Sequence, residues 1–213
     1  CRTTSRGVGV KTVVVSQRVD DYPDRNETRD SLDQRLIVFL AAAGFASVPV
    51  PNRLYDALSD GRDNHEALNG WLAAIRPQAF VLSGGNDIGE YRERDLTERW
   101  LLDHASEYQI PLLGICRGMQ IMADWAGMGL KPVQDHVRTR HRLAGDLTGE
   151  VNSYHALSLV NCPDGFQVLS WSEDGEIEAI RSESLPWEGW MWHPEREKQF
   201  AERDIQRLRE LFL

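Results

Sequence analysis

Apolar residues in this chain fall into short unbroken runs separated by stretches where they recur every three or four positions. Thr12-Val13-Val14-Val15 is a β-branched run of the kind that forms a strand covered on both faces in a parallel sheet. A polar loop around Asp20, Asp21, Pro23 and Arg25 is expected after it. Leu32, Leu36, Phe39, Leu40 and Ala43 then repeat at helical spacing, and Gly44 suits a C-terminal cap. Residues 45–50 predict a second strand, stopped by Pro49 and Pro51. Leu68, Trp71, Leu72 and Ile75 predict a helix ending before Pro77, and residues 79–82 a third buried strand. That strand runs into Ser83-Gly84-Gly85-Asn86-Asp87. Leu96, Trp100, Leu101, His104, Ala105 and Tyr108 form another helical stripe, in which His104 reads as a packed residue. It leads into the apolar run at 111–115.

Beyond Gly129 the pattern shortens. Residues 131–134, 150–152, 166–170, 176–181 and 187–192 read as short, largely antiparallel strands, and a last helix is expected from about 197 to 212, with Phe200, Ile205, Leu208 and Leu211 inward. Buried strands alternating with amphipathic helices indicate a doubly wound α/β fold. It should be a flavodoxin-like, mostly parallel sheet with a short antiparallel extension and a ligand crevice at the C-terminal ends of the strands. Residues 10–213 are expected to form one domain, preceded by a polar extension at 1–9.

A net charge of −9 argues against a nucleic-acid binder, which would need a basic face. A small anionic ligand needs only a local cluster, and Arg138, Arg140 and Arg142 supply one between His136 and Leu143. Cys1, Cys116 and Cys162 show neither disulfide-framework nor zinc-site spacing, so no metal and no cofactor are expected. A reducing cytoplasm fits this cysteine usage. No apolar run is long enough to span a membrane, and residues 1–9 lack the apolar core of a signal peptide.

The chemistry centres on Gly114-Ile115-Cys116-Arg117-Gly118-Met119-Gln120, a strand, a sharp turn and a helix with a thiol at the apex. Gly114 and Gly118 remove side chains that would crowd such a turn. The unpaired amides at the start of the helix favour the thiolate, the reactive form. Far downstream, His193-Pro194-Glu195 offers a base and an orienting acid. Gly84-Gly85 ends a strand, where backbone amides can approach a ligand.

These motifs resemble the Gly-x-Cys-x-Gly-x-Gln elbow, the Gly-Gly loop and the His-Pro-Glu turn of class I glutamine amidotransferases and their relatives, the γ-glutamyl hydrolases. The resemblance implies Cys116 as nucleophile, His193 as general base and acid, Glu195 as its orienting carboxylate, and the backbone amides of Gly85 and Arg117 as the oxyanion hole. Asn152-Ser153-Tyr154-His155 points to the γ-glutamyl-γ-aminobutyrate hydrolase branch, with Gln120, Ser153, Tyr154 and His155 holding the glutamyl head. The chain departs from that branch in lacking a proline after the Gly-Gly loop and in having Ala156-Leu157 where a glutamine often follows the histidine. Ser16-Gln17-Arg18, Arg140-His141-Arg142-Leu143 and Met191-Trp192-His193-Pro194-Glu195-Arg196-Glu197 look closer to the γ-glutamyl-CDP-amidate hydrolases of capsule phosphoramidate synthesis. There Arg18, Arg140 and Arg142 would contact a diphosphate leaving group.

The expected function is hydrolysis of a γ-glutamyl amide on a small molecule. A glutaminase chain feeding ammonia to a separate synthase, self-assembly into an oligomer, and a binding module that has lost catalysis all stay open at this point.

Overall fold

The computed structural model describes residues 10–54 and 66–213. The extension expected at 1–9 lies outside these residues. In chain order the elements begin with β1 (Lys11–Val15), β2 (Arg18–Tyr22), β3 (Glu27–Ser31), α1 (Gln34–Ala42) and β4 (Phe45–Pro49). They continue with α2 (Glu66–Ile75), β5 (Ala79–Leu82), α3 (Arg92–Tyr108), β6 (Leu112–Ile115) and α4 (Arg117–Trp125). The second half holds β7 (Leu130–Pro132), β8 (Val137–Gly145), β9 (Gly149–Tyr154), β10 (Leu157–Leu159), β11 (Phe166–Trp171), β12 (Ile177–Ser182), β13 (Trp187–Trp190) and α5 (Glu202–Phe212).

Among the described residues, nine strands form one mixed sheet in the order β4-β1-β5-β6-β13-β12-β11-β8-β9. β4, β1, β5, β6 and β13 run parallel, and the sheet continues antiparallel through β12, β11, β8 and β9. The alternation of side chains along each strand divides the core. Val13, Val15, Val81 and Leu113 pack with Leu36, Phe39 and Leu40 of α1 and Ile205, Leu208 and Phe212 of α5. Val14, Phe80, Leu82 and Leu112 face the other way, against Leu68 and Leu72 of α2, Leu101 and Leu102 of α3, and Ile121 and Met122 of α4. Helices on both faces make the doubly wound α/β arrangement expected from the pattern.

Three elements depart from the sequence reading. The loop expected around Asp20 and Pro23 is the β2–β3 hairpin, registered from Arg18 opposite Ser31 to Tyr22 opposite Glu27. The arginine-bearing segment after His136, which the pattern assigns to no strand, is the strand β8, paired with β9. The last helix starts at Glu202, because Pro194–Arg196 forms a short 3-10 turn and Ala201 is still extended at the N-cap. β13 is the seam of the sheet: it pairs parallel with β6 and antiparallel with β12. That pairing sets the C-terminal ends of β6 and β13 side by side, so Cys116 and His193 emerge next to each other.

Candidate active site

Cys116 stands between β6 and α4 with φ +51° and ψ −105°, a conformation that costs a non-glycine residue about 1–3 kcal/mol. The fold holds it there through backbone bonds: the Cys116 N–H donates to the Trp190 carbonyl at 2.7 Å, and the Gln120 N–H donates to the Cys116 carbonyl at 3.1 Å. The flanking glycines are steric necessities. A Cβ on Gly118 would overlap the Leu82 carbonyl oxygen, and one on Gly114 would lie 2.5 Å from Met122 Sδ. Their absence lets α4 close onto β5 and β6.

His193 Nδ1 lies 2.7 Å from Glu195 Oε1, both side chains being buried. With Nδ1 committed to the carboxylate, Nε2 is the nitrogen left to face Cys116, which lines the same cavity as the imidazole. Burial alone would depress the His193 pKa, but the charges of Cys116 and Glu195 and their hydrogen bonds outweigh it and push the value up to about 9. The raised value favours the imidazolium, the form that can hand a proton to a departing nitrogen. Arg35 Nε donates to the Glu195 carbonyl at 2.7 Å and ties the turn to α1.

The Gly-Gly loop sits against the same imidazole. A Cβ on Gly84 would come within 2.6 Å of His193 Cε1, and one on Gly85, whose φ is +126°, within 2.8 Å of both Arg18 Cβ and Arg94 Nη1. Arg94, fully buried and not singled out by the sequence, donates through Nη2 to the Ser83 carbonyl at 2.7 Å and the Gly84 carbonyl at 3.1 Å. In a trans peptide the N–H points opposite to the preceding carbonyl, so drawing the Gly84 carbonyl toward Arg94 turns the Gly85 N–H the other way. Arg94 Nε also meets Glu98 Oε1 at 3.1 Å, and Ser16 Oγ donates to the same oxygen at 2.7 Å.

The Arg117 guanidinium completes this network by pairing with Asp95 and Glu98. Burial lowers the Arg117 pKa to about 9 and that of Arg94 to about 10, yet both remain cationic at neutral pH among these carboxylates. The loop and the elbow are thus braced to α3 by one buried charge cluster. With its side chain spent there, Arg117 is left to offer a ligand at Cys116 its backbone N–H, at the first turn of α4.

A cavity of about 450 Å³ opens over Cys116, with Gly85, Gln120, Tyr154, His155 and His193 in its walls. A neighbouring cavity of about 420 Å³ is reached across Gly85 and His193, and Arg18 and Arg196 line both. The sequence pattern assigns no role to Arg196. Its guanidinium carbon lies 4.6 Å from the centroid of the Tyr154 ring, which in turn meets His193 edge-on with centroids 5.7 Å apart.

Other predicted residues are placed differently. Arg140 is paired with Glu150 and, at 3.0 Å, with Glu197, in a separate depression. Arg142 lies in register with Glu150 along the outer strands. Neither is among the residues lining the two cavities around His193; β8 lies next to β9, the edge strand of the sheet. Ser153 is fully buried and donates its hydroxyl to the His136 carbonyl at 2.6 Å, which makes it a tie between β8 and β9. Both ring nitrogens of His155 are engaged: Nδ1 lies 3.0 Å from the Leu157 carbonyl, and Nε2 faces His136 and Glu178. Gln120 stays in the cavity wall, its amide nitrogen donating to the Leu157 carbonyl at 2.9 Å. Asn152, read from sequence only as part of a motif, brackets the His193 peptide from β9. Cys162 is remote from this site; its thiol donates to the Phe166 carbonyl at 3.2 Å, and burial raises its pKa.

The family model described as glutamine amidotransferase class-I matches residues 60–209. The chain belongs to that family and is a hydrolase acting on C–N bonds. It is 33% identical over 141 residues to a γ-glutamyl-CDP-amidate hydrolase of Campylobacter jejuni, covering 63% of this chain and 70% of the relative. It is 30% identical over 134 residues to a glutamine-hydrolysing GMP synthase subunit of Thermococcus kodakarensis, covering 58% of this chain and 69% of that one. Among solved structures, a putative GMP synthase subunit from Thermoplasma acidophilum superposes with a TM-score of 0.66 at 20% identity, covering 93% of this chain and 91% of the other. A glutamine amidotransferase from Thermotoga maritima gives 0.59 at 15% identity, covering 94% and 83%. Both share the fold. Among the described residues, no helix is long and apolar enough to cross a membrane.

Proposed function

We propose that this protein hydrolyses a γ-glutamyl amide through a glutamyl thioester on Cys116. The observation that carries the reading is that Cys116 and His193 line one cavity while Glu195 holds the far nitrogen of the imidazole. The sulfur attacks the γ-carbonyl carbon, and the oxygen of the tetrahedral intermediate takes up negative charge opposite the N–H groups of Gly85 and Arg117. The C–N bond breaks as His193 Nε2 gives its proton to the departing nitrogen. A water molecule then attacks the thioester while His193 accepts its proton, and glutamate leaves with Cys116 regenerated. Glu195 orients the imidazole and stabilises its charged form throughout. A free thiol nucleophile calls for a reducing setting, so the proposal places the protein in the cytoplasm.

The narrower reading is an anionic leaving group of the γ-glutamyl-CDP-amidate type, which would place the enzyme in capsule phosphoramidate synthesis. Arg18 and Arg196 support it, since they line both the cavity at Cys116 and its neighbour, and so does the similarity to the Campylobacter jejuni hydrolase. A substrate panel read by glutamate release tests it: glutamine, γ-glutamyl-aminobutyrate, folyl-polyglutamate and γ-glutamyl-CDP-amidate. The last should have the highest kcat/KM. A clear preference for γ-glutamyl-aminobutyrate would remove the nucleotide reading and leave γ-glutamyl hydrolysis standing.

Similarity to the GMP synthase subunit of Thermococcus kodakarensis favours one alternative, glutamine hydrolysis with ammonia passed to a separate synthase. Weak glutaminase activity that rises strongly on adding a candidate synthase chain would favour it over the stand-alone hydrolase.

A further inference from the structure

Beside the catalytic cavity, three histidines of the β8–β9 hairpin meet a glutamate of β12: His136 just before β8, His141 within it, His155 just after β9, and Glu178 on β12. One candidate ligand atom from each lies within 4.8 Å of the other three. His136, His155 and Glu178 are buried. The outer nitrogens of two rings are already committed. His136 Nε2 lies 2.8 Å from Asp174 Oδ2, and His155 Nδ1 lies 3.0 Å from the Leu157 carbonyl oxygen. Both of those atoms are acceptors, so each outer nitrogen carries the proton and each inner nitrogen presents a lone pair.

The inner atoms therefore face one another as acceptors. His136 Nδ1 and His155 Nε2 are 3.2 Å apart, and Glu178 Oε1 is 3.6 Å from the first and 3.4 Å from the second. Both Glu178 oxygens and His141 Nε2 are buried without a hydrogen-bond partner. Lone pairs converging at this distance need a cation between them, either a shared proton or a metal ion. Four ligands at the roughly 2.0–2.1 Å typical of zinc would sit about 3.3–3.4 Å apart at the corners of a tetrahedron, close to the spacings among His136, His155 and Glu178, with His141 within 4.8 Å. Asp174 and the Leu157 carbonyl then act as the outer partners that orient ligating imidazoles.

We propose that His136 Nδ1, His141 Nε2, His155 Nε2 and a Glu178 carboxylate oxygen form a closed, structural zinc site that fastens the β8–β9 hairpin to β12 and stiffens the cavity wall at Tyr154. The donor set of nitrogen and carboxylate oxygen without sulfur suits zinc, and four protein ligands leave no open position for a reacting water. His136 and His141 have a short His-x4-His spacing, but His155 and Glu178 join them only through the fold, so the sequence alone does not mark a four-ligand site.

The test uses the full chain and Zn²⁺ itself. The protein is stripped with a chelator, reloaded with Zn²⁺, desalted, and measured for metal content, melting temperature and X-ray absorption at the zinc edge. One zinc per chain is expected, with nitrogen and oxygen neighbours only and a melting temperature that falls on stripping and recovers on reloading. Cys116→Ser should keep the metal. Glu178→Gln should bind it at least tenfold more weakly, and Asp174→Asn, at a position more than half exposed, should weaken it roughly 10–100-fold. Substoichiometric zinc together with a melting temperature indifferent to Zn²⁺ would overturn the proposal and assign the cluster to a shared proton. Sulfur in the coordination shell, or loss of zinc in Cys116→Ser, would overturn it by moving the metal to the catalytic thiol.

Discussion

Asn152 grips His193 from both sides of its backbone. Its side-chain amide donates to the His193 carbonyl at 2.7 Å, while its side-chain oxygen accepts from the His193 N–H at 3.0 Å. The imidazole is thereby positioned from β9, across the sheet edge from the elbow. Asn152→Ala leaves two buried backbone groups unpaired, at a cost of about 1–3 kcal/mol each. Steady-state kinetics should show kcat falling at least tenfold with KM little changed, and calorimetry a lower melting temperature. Lost stability with unaltered kcat would make Asn152 a structural tie only.

Gly84 faces the His193 ring so closely that a methyl group cannot fit beside it without moving the imidazole. Gly84→Ala should fold, yet lose activity by at least about 10²-fold, on the scale of a misplaced catalytic group. Circular dichroism and a glutamate-release assay check both halves.

The raised pKa of His193 has a sign that can be measured. A folded value near 9 against an ordinary 6.5 means that its contribution to stability is fully present below about pH 6.5 and is lost as pH rises toward 9. Titration by NMR should place His193 near 9 in the parent. Cys116→Ser and Glu195→Gln should each lower it, because each removes a partner that favours the imidazolium. A value in Cys116→Ser equal to the parent would mean that the sulfur does not contribute.

Arg18 and Arg196 line the cavities, whereas Arg140 and Arg142 do not. Arg18→Ala and Arg196→Ala should raise KM for γ-glutamyl-CDP-amidate about tenfold or more, the scale of a lost hydrogen bond to a charged group at about 1.5–3 kcal/mol, with a smaller effect on glutamine. Arg140→Ala and Arg142→Ala should leave that KM within about twofold, as surface ion pairs contribute little.

What the sequence made legible follows from burial. The runs at Val13-Val14-Val15 and Phe80-Val81-Leu82 are covered on both faces, so their pattern is unambiguous, and the glycines around Cys116 mark a turn that only small residues permit. The β2–β3 hairpin was invisible because Arg18 to Tyr22 and Glu27 to Ser31 are polar on both faces, with Val19 the only buried position. β8 was hidden for a similar reason: its alternation of Arg138, Arg140 and Arg142 with partly buried Thr139 and His141 reads as a charged loop until β9 pairs with it. The positioning roles of Arg94 and Asn152 are not legible in the sequence, because what they hold, the carbonyls of Ser83 and Gly84 and the peptide of His193, comes near only in three dimensions.

The most direct test of the account is to catch the acyl-enzyme. Acid quenching of the parent during turnover of a γ-glutamyl substrate, followed by peptide mass spectrometry, should find one glutamyl group on the peptide containing Cys116 and none on that containing Cys162. The adduct should be absent in Cys116→Ala, which should remain folded while losing at least about 10³-fold in activity. Undiminished glutamate release by Cys116→Ala would contradict the covalent mechanism.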